Sequence, residues 1–251
     1  MPTCLEVATQ NLSANPLKDS TVKEYLATLR TLGIAELEHS ELTVGLASSR
    51  LQRVLTPSTR RKHSINLRAT LGLDIPCPKP IPKAYSLPPV EALHSALEAS
   101  LYAMWGLVML YGGLRLGESC VRQPRVGSVL HIDRQRTPSG SITTSKTSGR
   151  VFIPDWLADR YEAHDFERSH NTVYVGIRRA GRKAGLSLNP HQLRHAYATN
   201  LVRQGANPEV LRRQMRHHHV SVSLTYYVHV TDSDVSSVVA RLEAYLQTTP
   251  V

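Results

Sequence analysis

The stretch Ala99–Leu114, ASLYAMWGLVMLYGGL, decides the fold, because its 16 residues carry no charge and lie near the middle of the chain. A helix that crosses a membrane needs roughly 20 apolar residues. This stretch is shorter, and it contains three glycines and two tyrosines. We therefore interpret it as a buried core helix of a globular protein, and we expect no membrane partner.

The sequence on both sides of this stretch is mostly helical in pattern. Apolar residues at helical spacing predict helices over 20–33, 42–54, 58–71, 90–121, 173–184, 191–204, 208–215 and 234–247. Asp19 or Ser20 is the expected N-cap of the first of these helices, and Gly33 its stop. Short strands are predicted at 126–132, 141–144 and 150–153, with turns at 138–140 and 147–149 between them. The fold class that follows is mainly α with a small antiparallel β-sheet.

A proline-rich segment divides the chain. Six prolines fall between Leu73 and Val90, in a window that cannot continue a helix and favours a stiff, extended connector. We therefore expect two domains: a helical domain over 1–75, a linker over 76–89 and a second domain over 90–251.

The charge balance points to a polyanionic partner. The chain has 30 Lys and Arg against 20 Asp and Glu, a net charge of +10, and 23 of the 30 cations are arginines, whose planar guanidinium binds phosphate oxygens in pairs. A basic surface that reflects only codon usage is the alternative. The span 50–68 contains six cations and no acid, which makes it a candidate nucleic-acid face, although an ordinary solvated helix surface explains it equally well. Its cations are Arg50, Arg53, Arg60, Arg61, Lys62 and Arg68.

Cysteine usage predicts a reduced, cytoplasmic protein. Cys4, Cys77 and Cys120 are isolated and odd in number, so they form neither a disulfide framework nor a local metal or redox motif. The N-terminal residues show no basic-then-apolar signal peptide.

Two short motifs follow the core helix. The first, GLRLGE over 113–118, places Arg115 and Glu118 three residues apart at the end of an apolar run. An arginine in this setting needs an anionic partner, which is either Glu118 in a structural ion pair or a phosphate. The second is Lys146, which we expect at the tip of a hairpin. A solvated turn lysine is the alternative explanation there.

Two further motifs lie in the C-terminal third. In HQLR, His191 and Arg194 share one helix face and could hold a phosphate, or they could simply face solvent. The segment 215–230, MRHHHVSVSLTYYVHV, contains three adjacent histidines and two tyrosines. Consecutive side chains diverge around a helix, and this segment has no Asp, Glu or Cys, so we predict no metal site.

In this order, the four motifs resemble the tyrosine recombinase (phage integrase) family over roughly 107–230. The resemblance implies that residues 1–75 are a core-type DNA-binding domain and that residues 90–251 are an α+β catalytic domain. It also implies a set of site residues, with Glu118 supporting them. The implied catalytic residues are Arg115, Lys146, His191, Arg194 and His217, with Tyr227 as nucleophile.

The last two assignments depend on register. A family phrase, H-S-D-I-S-I-T-L-N-T-Y-T-H-V, aligns with 217–230 without a gap and selects His217 and Tyr227. His218 and Tyr226 remain the alternatives. Where the family usually has Gly, this chain has Arg216, which we assign as a further candidate DNA contact.

The implied function is site-specific recombination through a 3′-phosphotyrosine and a Holliday junction, without metal or cofactor. The implied partners are double-stranded DNA core sites and three further copies of the chain in a homo-tetramer on DNA. An accessory DNA-bending protein is a further candidate partner. The helix that begins near Asp234 is expected either to dock on a neighbouring copy or to pack on its own domain. The short run before the first expected helix predicts a small form without an arm-binding domain.

Other functions compete with this one. A topoisomerase IB-like nicking and closing enzyme would use the same residues, and a non-catalytic DNA-binding protein could share the fold. An RNA-binding basic protein is a weaker candidate, because the sequence contains no RNA-recognition motif.

Overall fold

The computed structural model describes residues 1–14, 16–54, 56–76, 87–166, 168–227 and 232–248. The chain divides into two compact units, Met1–Tyr85 and Ser86–Val251. Most of the predicted linker over 76–89 lies outside the described residues, which include only residue 76 and residues 87–89 of it.

The first unit is helical. Its α-helices are α1 (Cys4–Ser13), α2 (Asp19–Thr31), α3 (Val44–Gln52) and α4 (Pro57–Leu71), with a short 3₁₀-helix at His39–Glu41. Their apolar faces meet in one core around Leu29, Ile34 and Leu67, all fully buried. A polar contact lies inside this unit, where the Thr28 hydroxyl accepts a hydrogen bond from the Asn66 side chain at 2.8 Å.

Helix α1 and the N-cap of α2 both differ from what the sequence pattern predicts. A capping box starts α1, since Thr3 Oγ1 accepts from the Glu6 backbone and Glu6 Oε2 accepts from the Thr3 backbone. Helix α2 begins at Asp19 with Lys18 as its N-cap, so the expected Asp19 or Ser20 cap is wrong by one or two residues. Gly33, with φ +64°, follows the end of α2 as expected.

The second unit combines helices with a small sheet. Before the sheet lie α5 (Val90–Glu98), α6 (Ala103–Gly112) and α7 (Leu116–Ser119), so the block expected over 90–121 is three helices. After it come α8 (Asp155–Glu162), α9 (His170–Lys183), α10 (Pro190–Arg203), α11 (Pro208–Met215), α12 (Val220–Leu224) and α13 (Asp232–Thr248). Helix α6 is the expected core helix, with Trp105, Leu107 and Leu110 almost fully buried.

The sheet is a three-stranded antiparallel meander in the order β1 (Arg125–Val126), β2 (Val129–Arg136) and β3 (Ile142–Phe152). The two strands expected at 141–144 and 150–153 are the ends of the single strand β3, and the turn expected at 147–149 lies inside it. Ile132 pairs with Gly149 while Arg134 pairs with Thr144, so residues 145–148 bulge out opposite Asp133. Lys146 therefore lies on this bulge and not at the hairpin tip, which is formed by residues 137–141.

The fold class is mainly α with a small antiparallel β-sheet, as predicted. Within the described ranges, no helix has both the length and the apolar character that a membrane crossing requires.

Candidate active site

A tight turn after α6 brings Arg115 into the site. Gly113 ends α6 with φ +64°, and a Cβ there would lie 2.7 Å from the Tyr197 ring and 2.9 Å from Met215 Sδ. The chain therefore turns closely past α10 and α11 and places Arg115 as the N-cap of α7. About a third of the Arg115 side chain is exposed, and its Nη1 donates to Thr147 Oγ1 at 2.5 Å.

Glu118 is the fully buried centre of a hydrogen-bond network. Its carboxylate accepts from the Arg115 backbone N–H at 2.8 Å, from Arg115 Nη1 at 3.0 Å and from Ser145 Oγ at 2.8 Å. Arg216 Nη2 donates to it as well. Burial by itself raises the pKa of Glu118, but the Arg216 charge and the contacts with Arg115 and Ser145 outweigh burial and hold the pKa below its usual value. Glu118 is therefore a carboxylate that fixes Arg115 in place.

Arg194 is buried on α10 and is held by the backbone. Its Nη1 donates to the Gly113 carbonyl and its Nη2 donates to the Met215 carbonyl, at the ends of α6 and α11. Burial, with the charges of Arg115 and Arg216, lowers the pKa of Arg194 to about 9. The guanidinium is still charged at neutral pH and lies within electrostatic reach of Arg115.

His191 lies at the start of α10, one turn before Arg194. The helix begins with a capping box in which Asn189 and Gln192 exchange hydrogen bonds at 2.8 and 3.1 Å. Loss of solvent around the His191 ring lowers its pKa, and the charges of Arg194 and Arg115 lower it further. The ring meets the His195 ring edge-on, with centroids 4.5 Å apart.

His217 follows α11 directly and differs sharply from its neighbours. It is 9% exposed, and its Nδ1 lies 2.9 Å from Ser223 Oγ, whereas His218 and His219 are exposed. Burial lowers the pKa of His217 to about 4, with the charges of Arg194 and Arg115 acting in the same direction. Among the three adjacent histidines, His217 is therefore the buried one, and its assignment as the catalytic histidine stays a prediction of the motif register.

Lys146 is exposed on the bulge of β3. It lines a cavity of about 970 Å³ together with Arg150, Arg213, His217 and His218. This cavity, which we call the basic cavity, gives Lys146 and His217 access to the same ligand.

The two tyrosines point in different directions. The Tyr226 ring stacks on His217 with centroids 6.1 Å apart and lies 5.4 Å from the His195 ring. The Tyr227 hydroxyl instead donates to the Ala206 carbonyl, and burial raises its pKa. The structure thus brings the Tyr226 ring, and not the Tyr227 hydroxyl, next to the histidines. The assignment of Tyr227 stays a prediction of the motif register.

Arg216 has a different environment from the one expected. Its side chain is 2% exposed and paired with Glu118. This burial argues against the DNA contact that sequence analysis gives it. Sequence analysis also missed Ser145 and Thr147, which flank Lys146 and contact Glu118 and Arg115. Two hydroxyl residues beside a lysine gave no distinctive signal.

The six candidate DNA-binding cations of the span 50–68 do not share one environment. Arg50 and Arg53 line a cavity of about 540 Å³ near the start of α4, together with Arg30, which sequence analysis missed. Lys62 Nζ lies 2.7 Å from Glu24 Oε1, and Arg68 pairs with Asp74. The remaining two cations, Arg60 and Arg61, are half-buried.

Two further predictions concern the C-terminal helix and metals. On α13, the apolar side chains of Val235 and Val239 are 54% and 49% exposed, while the side chains at 238, 242, 245 and 246 lie outside the described residues. Within the part of the chain that the structure describes, no group of three or more His, Cys, Asp or Glu side chains is arranged to hold a metal ion.

Solved structures with the same fold define the class of protein. A chain of the Tn1549 transposon integrase in complex with transposon right end DNA matches 96% of this chain and 100% of its own length, with a TM-score of 0.72 and 17% identity. A lambda integrase dimer bound to a COC′ core site matches 89% of this chain and 93% of its own, with a TM-score of 0.67 and 13% identity. The chain has the fold of the tyrosine integrases.

Sequence comparison points to the same class of protein. The model of the phage integrase family matches residues 141–234. A tyrosine recombinase of Thermosipho africanus is 23% identical over 245 residues, which cover 90% of this chain and 77% of the relative. Residues 141–234 therefore resemble the phage integrase family, and the chain is similar to tyrosine recombinases over most of its length.

Two other relatives are matched over part of their length. Tyrosine recombinase XerA of Pyrococcus horikoshii is 26% identical over 165 residues, 59% of this chain and 58% of the relative. Transposase A from transposon Tn554 of Staphylococcus aureus is 34% identical over 182 residues, 59% of this chain and 48% of the relative. The chain thus spans about half the length of these curated relatives.

Proposed function

We propose that this protein is a site-specific DNA recombinase that cleaves and rejoins strands through a 3′-phosphotyrosine intermediate. The observation that carries the proposal is that separate motifs meet at one cationic centre: Glu118 pairs with both Arg115 and Arg216. Arg194 donates to the carbonyls of Gly113 and Met215, two residues before Arg115 and one residue before Arg216. A scissile phosphodiester is the anion that such a centre suits. Its two non-bridging oxygens share one negative charge, and the negative charge on these oxygens increases as the phosphorus becomes pentacoordinate.

Phosphate binding is the first task that the residues support. Arg115 is anchored by Glu118 and Thr147, and about a third of its side chain is exposed. Arg194 contributes a positive charge at a fixed position, because its two terminal nitrogens donate to the Gly113 and Met215 carbonyls. His191 and His217, whose lowered pKa values favour the neutral ring, can each donate one ring N–H to a phosphate oxygen.

The chemical step is a transesterification. The Tyr227 oxygen attacks the phosphorus, a tyrosyl oxygen–phosphorus bond forms, and the bond to the 5′ oxygen breaks. The Tyr227 hydroxyl passes its proton to one of the neutral imidazoles, His191 or His217, and Lys146, exposed on its bulge, donates a proton to the departing 5′ oxygen. Rejoining reverses these steps when a 5′-hydroxyl attacks the phosphotyrosine. The number of phosphoester bonds is unchanged, so no cofactor is needed as an energy source.

The partners follow from the same proposal. The structural neighbours named above are described as bound to transposon end DNA and to a core site, which supports double-stranded DNA as the substrate here. We further propose that residues 1–75 act as a core-type DNA-binding domain and residues 90–251 as the catalytic domain. A homo-tetramer on DNA, strand exchange through a Holliday junction, and docking of α13 on a neighbouring copy complete the proposal, which places the protein in the cytoplasm.

A covalent-trapping experiment tests the proposal. A duplex that the protein retains from a random-sequence pool is remade with nicks beside successive phosphodiesters, so that the cleaved end diffuses away and the protein–DNA adduct accumulates. We expect an adduct that survives denaturation with wild type and with Tyr226→Phe, and none with Tyr227→Phe. An adduct that depends on Tyr226 and not on Tyr227 would reverse the nucleophile assignment.

Two other outcomes would replace the proposal. Tight binding without any adduct would indicate a non-catalytic DNA-binding protein. An adduct combined with relaxation of supercoiled plasmid, and with no recombinant product from two-site substrates, would indicate a nicking and closing enzyme of the topoisomerase IB kind.

A further inference from the structure

Arg216 adopts a backbone conformation that L-residues avoid. It caps α11 with φ +52° and ψ +48°, and it is the single non-glycine residue with positive φ in the described ranges. Glycine takes this conformation without strain, whereas a side chain makes it unfavourable. A favourable interaction elsewhere must offset this backbone strain, and the contacts of the Arg216 guanidinium provide it.

The side chain of Arg216 is enclosed and ends at Glu118. Its Nη2 donates to Glu118 Oε2, and the exposed fractions of the two side chains are 2% and 0%. Gly149 on β3 makes room for the arginine stem, because a Cβ at that position would lie 3.3 Å from Arg216 Cδ. A helix cap by itself does not require a buried guanidinium, so this contact is a separate feature of the site.

Charge balance shows what the contact does. Glu118 also pairs with Arg115, and a buried pair of one carboxylate and one guanidinium has no net charge. With Arg216 included, the group of three carries one positive charge. The second arginine therefore offsets the carboxylate and leaves the charge of Arg115 available to an anionic ligand.

The same carboxylate also joins three parts of the site. Arg115 belongs to the turn before α7, Ser145 lies beside Lys146 on the β3 bulge, and Arg216 immediately precedes His217. Loss of Arg216 would remove the link from Glu118 to the His217 turn and would leave the contacts with Arg115 and Ser145.

We infer that Arg216 is a positioning residue of the active site, one that acts through Glu118 to keep Arg115 electrostatically active and that ties the His217 turn to the β3 bulge. This inference rests on the proposed DNA-cleavage function. It differs from a role as a helix cap, since a cap would be improved by glycine, and from a role in direct DNA contact, since the side chain is buried.

The test is a mutant cycle on the nicked duplex described above, with cleavage rates measured at saturating protein. Arg216→Gly relieves the backbone strain but leaves the Glu118 charge opposed by Arg115 alone. We expect its rate of adduct formation to fall about 100-fold, the size of effect that removal of one fixed electrostatic group produces. Duplex affinity should change by less than about threefold. Arg216→Lys, which keeps the charge but not the fork geometry, should recover part of the rate.

The same substitution in a Glu118→Gln background tests whether Arg216 acts through the Glu118 carboxylate. In Glu118→Gln the carboxylate charge is gone and Arg216 has nothing to neutralise, so adding Arg216→Gly should cost less than about threefold. A fall of 100-fold in both backgrounds would overturn the inference, and so would a wild-type rate for Arg216→Gly. If Arg216→Gly fails to fold, Arg216→Lys replaces it in both backgrounds: a rate that falls with the native carboxylate and not in Glu118→Gln supports the inference, and equal falls in the two backgrounds overturn it.

A matched control removes an arginine that does not reach Glu118. Arg203→Ala takes one exposed positive charge from the last turn of α10 and should leave the rate unchanged. The two hypotheses fail separately: no adduct with wild type refutes the proposed function, whereas a normal adduct with both wild type and Arg216→Gly refutes this inference alone.

Discussion

The two units use cations in opposite ways. In the second unit, Arg194 and Arg216 are buried, and their guanidinium groups are held by backbone carbonyls or by Glu118. In the first unit, the Lys62 and Arg68 side chains are 52% and 64% exposed, with single acidic partners at the surface. A buried cation loses its hydration and must be given partners, while a surface cation keeps its water.

This difference separates two kinds of contribution. A buried guanidinium has one position, so it can act on a particular phosphate, and its loss leaves its partners unsatisfied. An exposed cation contributes mainly long-range attraction to a polyanion, which salt screens. Removal of a buried cation should therefore affect stability and chemistry together, and removal of an exposed one should affect affinity and its salt dependence alone.

The largest expected effect is that of Arg194→Ala. The substitution removes a fixed charge beside Arg115 and leaves the Gly113 and Met215 carbonyls without their donors. We expect the rate of adduct formation at saturating protein to fall by roughly 1000-fold. The free energy of unfolding should fall by about 3 kcal/mol, from the two lost hydrogen bonds and the cavity left by the side chain.

The control for that prediction lies on the same helix. Arg203→Ala, at the exposed end of α10, should change the free energy of unfolding by less than about 0.5 kcal/mol. If Arg194→Ala lost activity but kept wild-type stability in urea unfolding, the distinction between fixed and solvated cations would not hold for this residue.

Sequence patterns predicted those features of the fold and of the candidate site that depend on residues close together in the chain. The apolar run Ala99–Leu114 contains the core helix, and the four motifs of the second unit occur in the order typical of the family. The sequence favours His217 over His218 as the candidate catalytic histidine because the family phrase aligns with residues 217–230 without a gap. These predictions depend only on the spacing of residues along the chain, which the sequence itself contains.

The rest depends on long-range pairing. The bulge that carries Lys146 arises because β2 and β3 pair out of step, and strand propensity does not encode that offset. Arg216 and Glu118 lie 98 positions apart, so no local pattern relates them. Helix α1 was missed because only Cys4, Ala8 and Leu12 are buried on it, too few for a clear amphipathic signal.

A smaller effect is expected from acid. Burial lowers the pKa values of His195 and His217 to about 4, whereas an unfolded histidine titrates near 6.5. Between these values the unfolded chain binds more protons than the folded one, so stability falls as pH decreases from about 6.5 to about 4. With allowance for partial exposure of the rings, we expect the second unit to lose about 2 kcal/mol over this range.

The second unit can be observed separately in this measurement. Both tryptophans, Trp105 and Trp156, lie in Ser86–Val251, so tryptophan fluorescence in urea follows that unit alone. His217→Asn keeps a polar side chain near Ser223 without a titrating ring and should reduce the loss by about half. An unfolding midpoint that is equal at pH 7 and pH 4.5 would mean that these histidines are not held neutral by the fold.

The smallest effect tests the exposed side of the comparison. Arg50 and Arg53 line the first-unit cavity together with Arg30, and the structure gives none of them an acidic partner within the described residues. If each neutralises one DNA phosphate, Arg50→Ala and Arg53→Ala should each lower the slope of log affinity against log salt by about 0.9. Affinity near physiological salt should weaken only a few-fold. The cleavage rate at saturating protein should not change, because neither residue belongs to the site around Glu118.

Lys62→Ala is the matched comparison for these two arginines. Lys62 is a cation of the same unit, but Glu24 already offsets its charge at 2.7 Å. Its removal should change the salt slope by clearly less than 0.9, since an ion pair must be broken before the lysine can serve a phosphate. Equal slopes for all three variants would mean that net charge alone governs binding. A slope that falls with Arg50 and Arg53 but not with Lys62 would locate the duplex contact at the cavity beside α4, and Arg30→Ala should then lower the slope to the same extent.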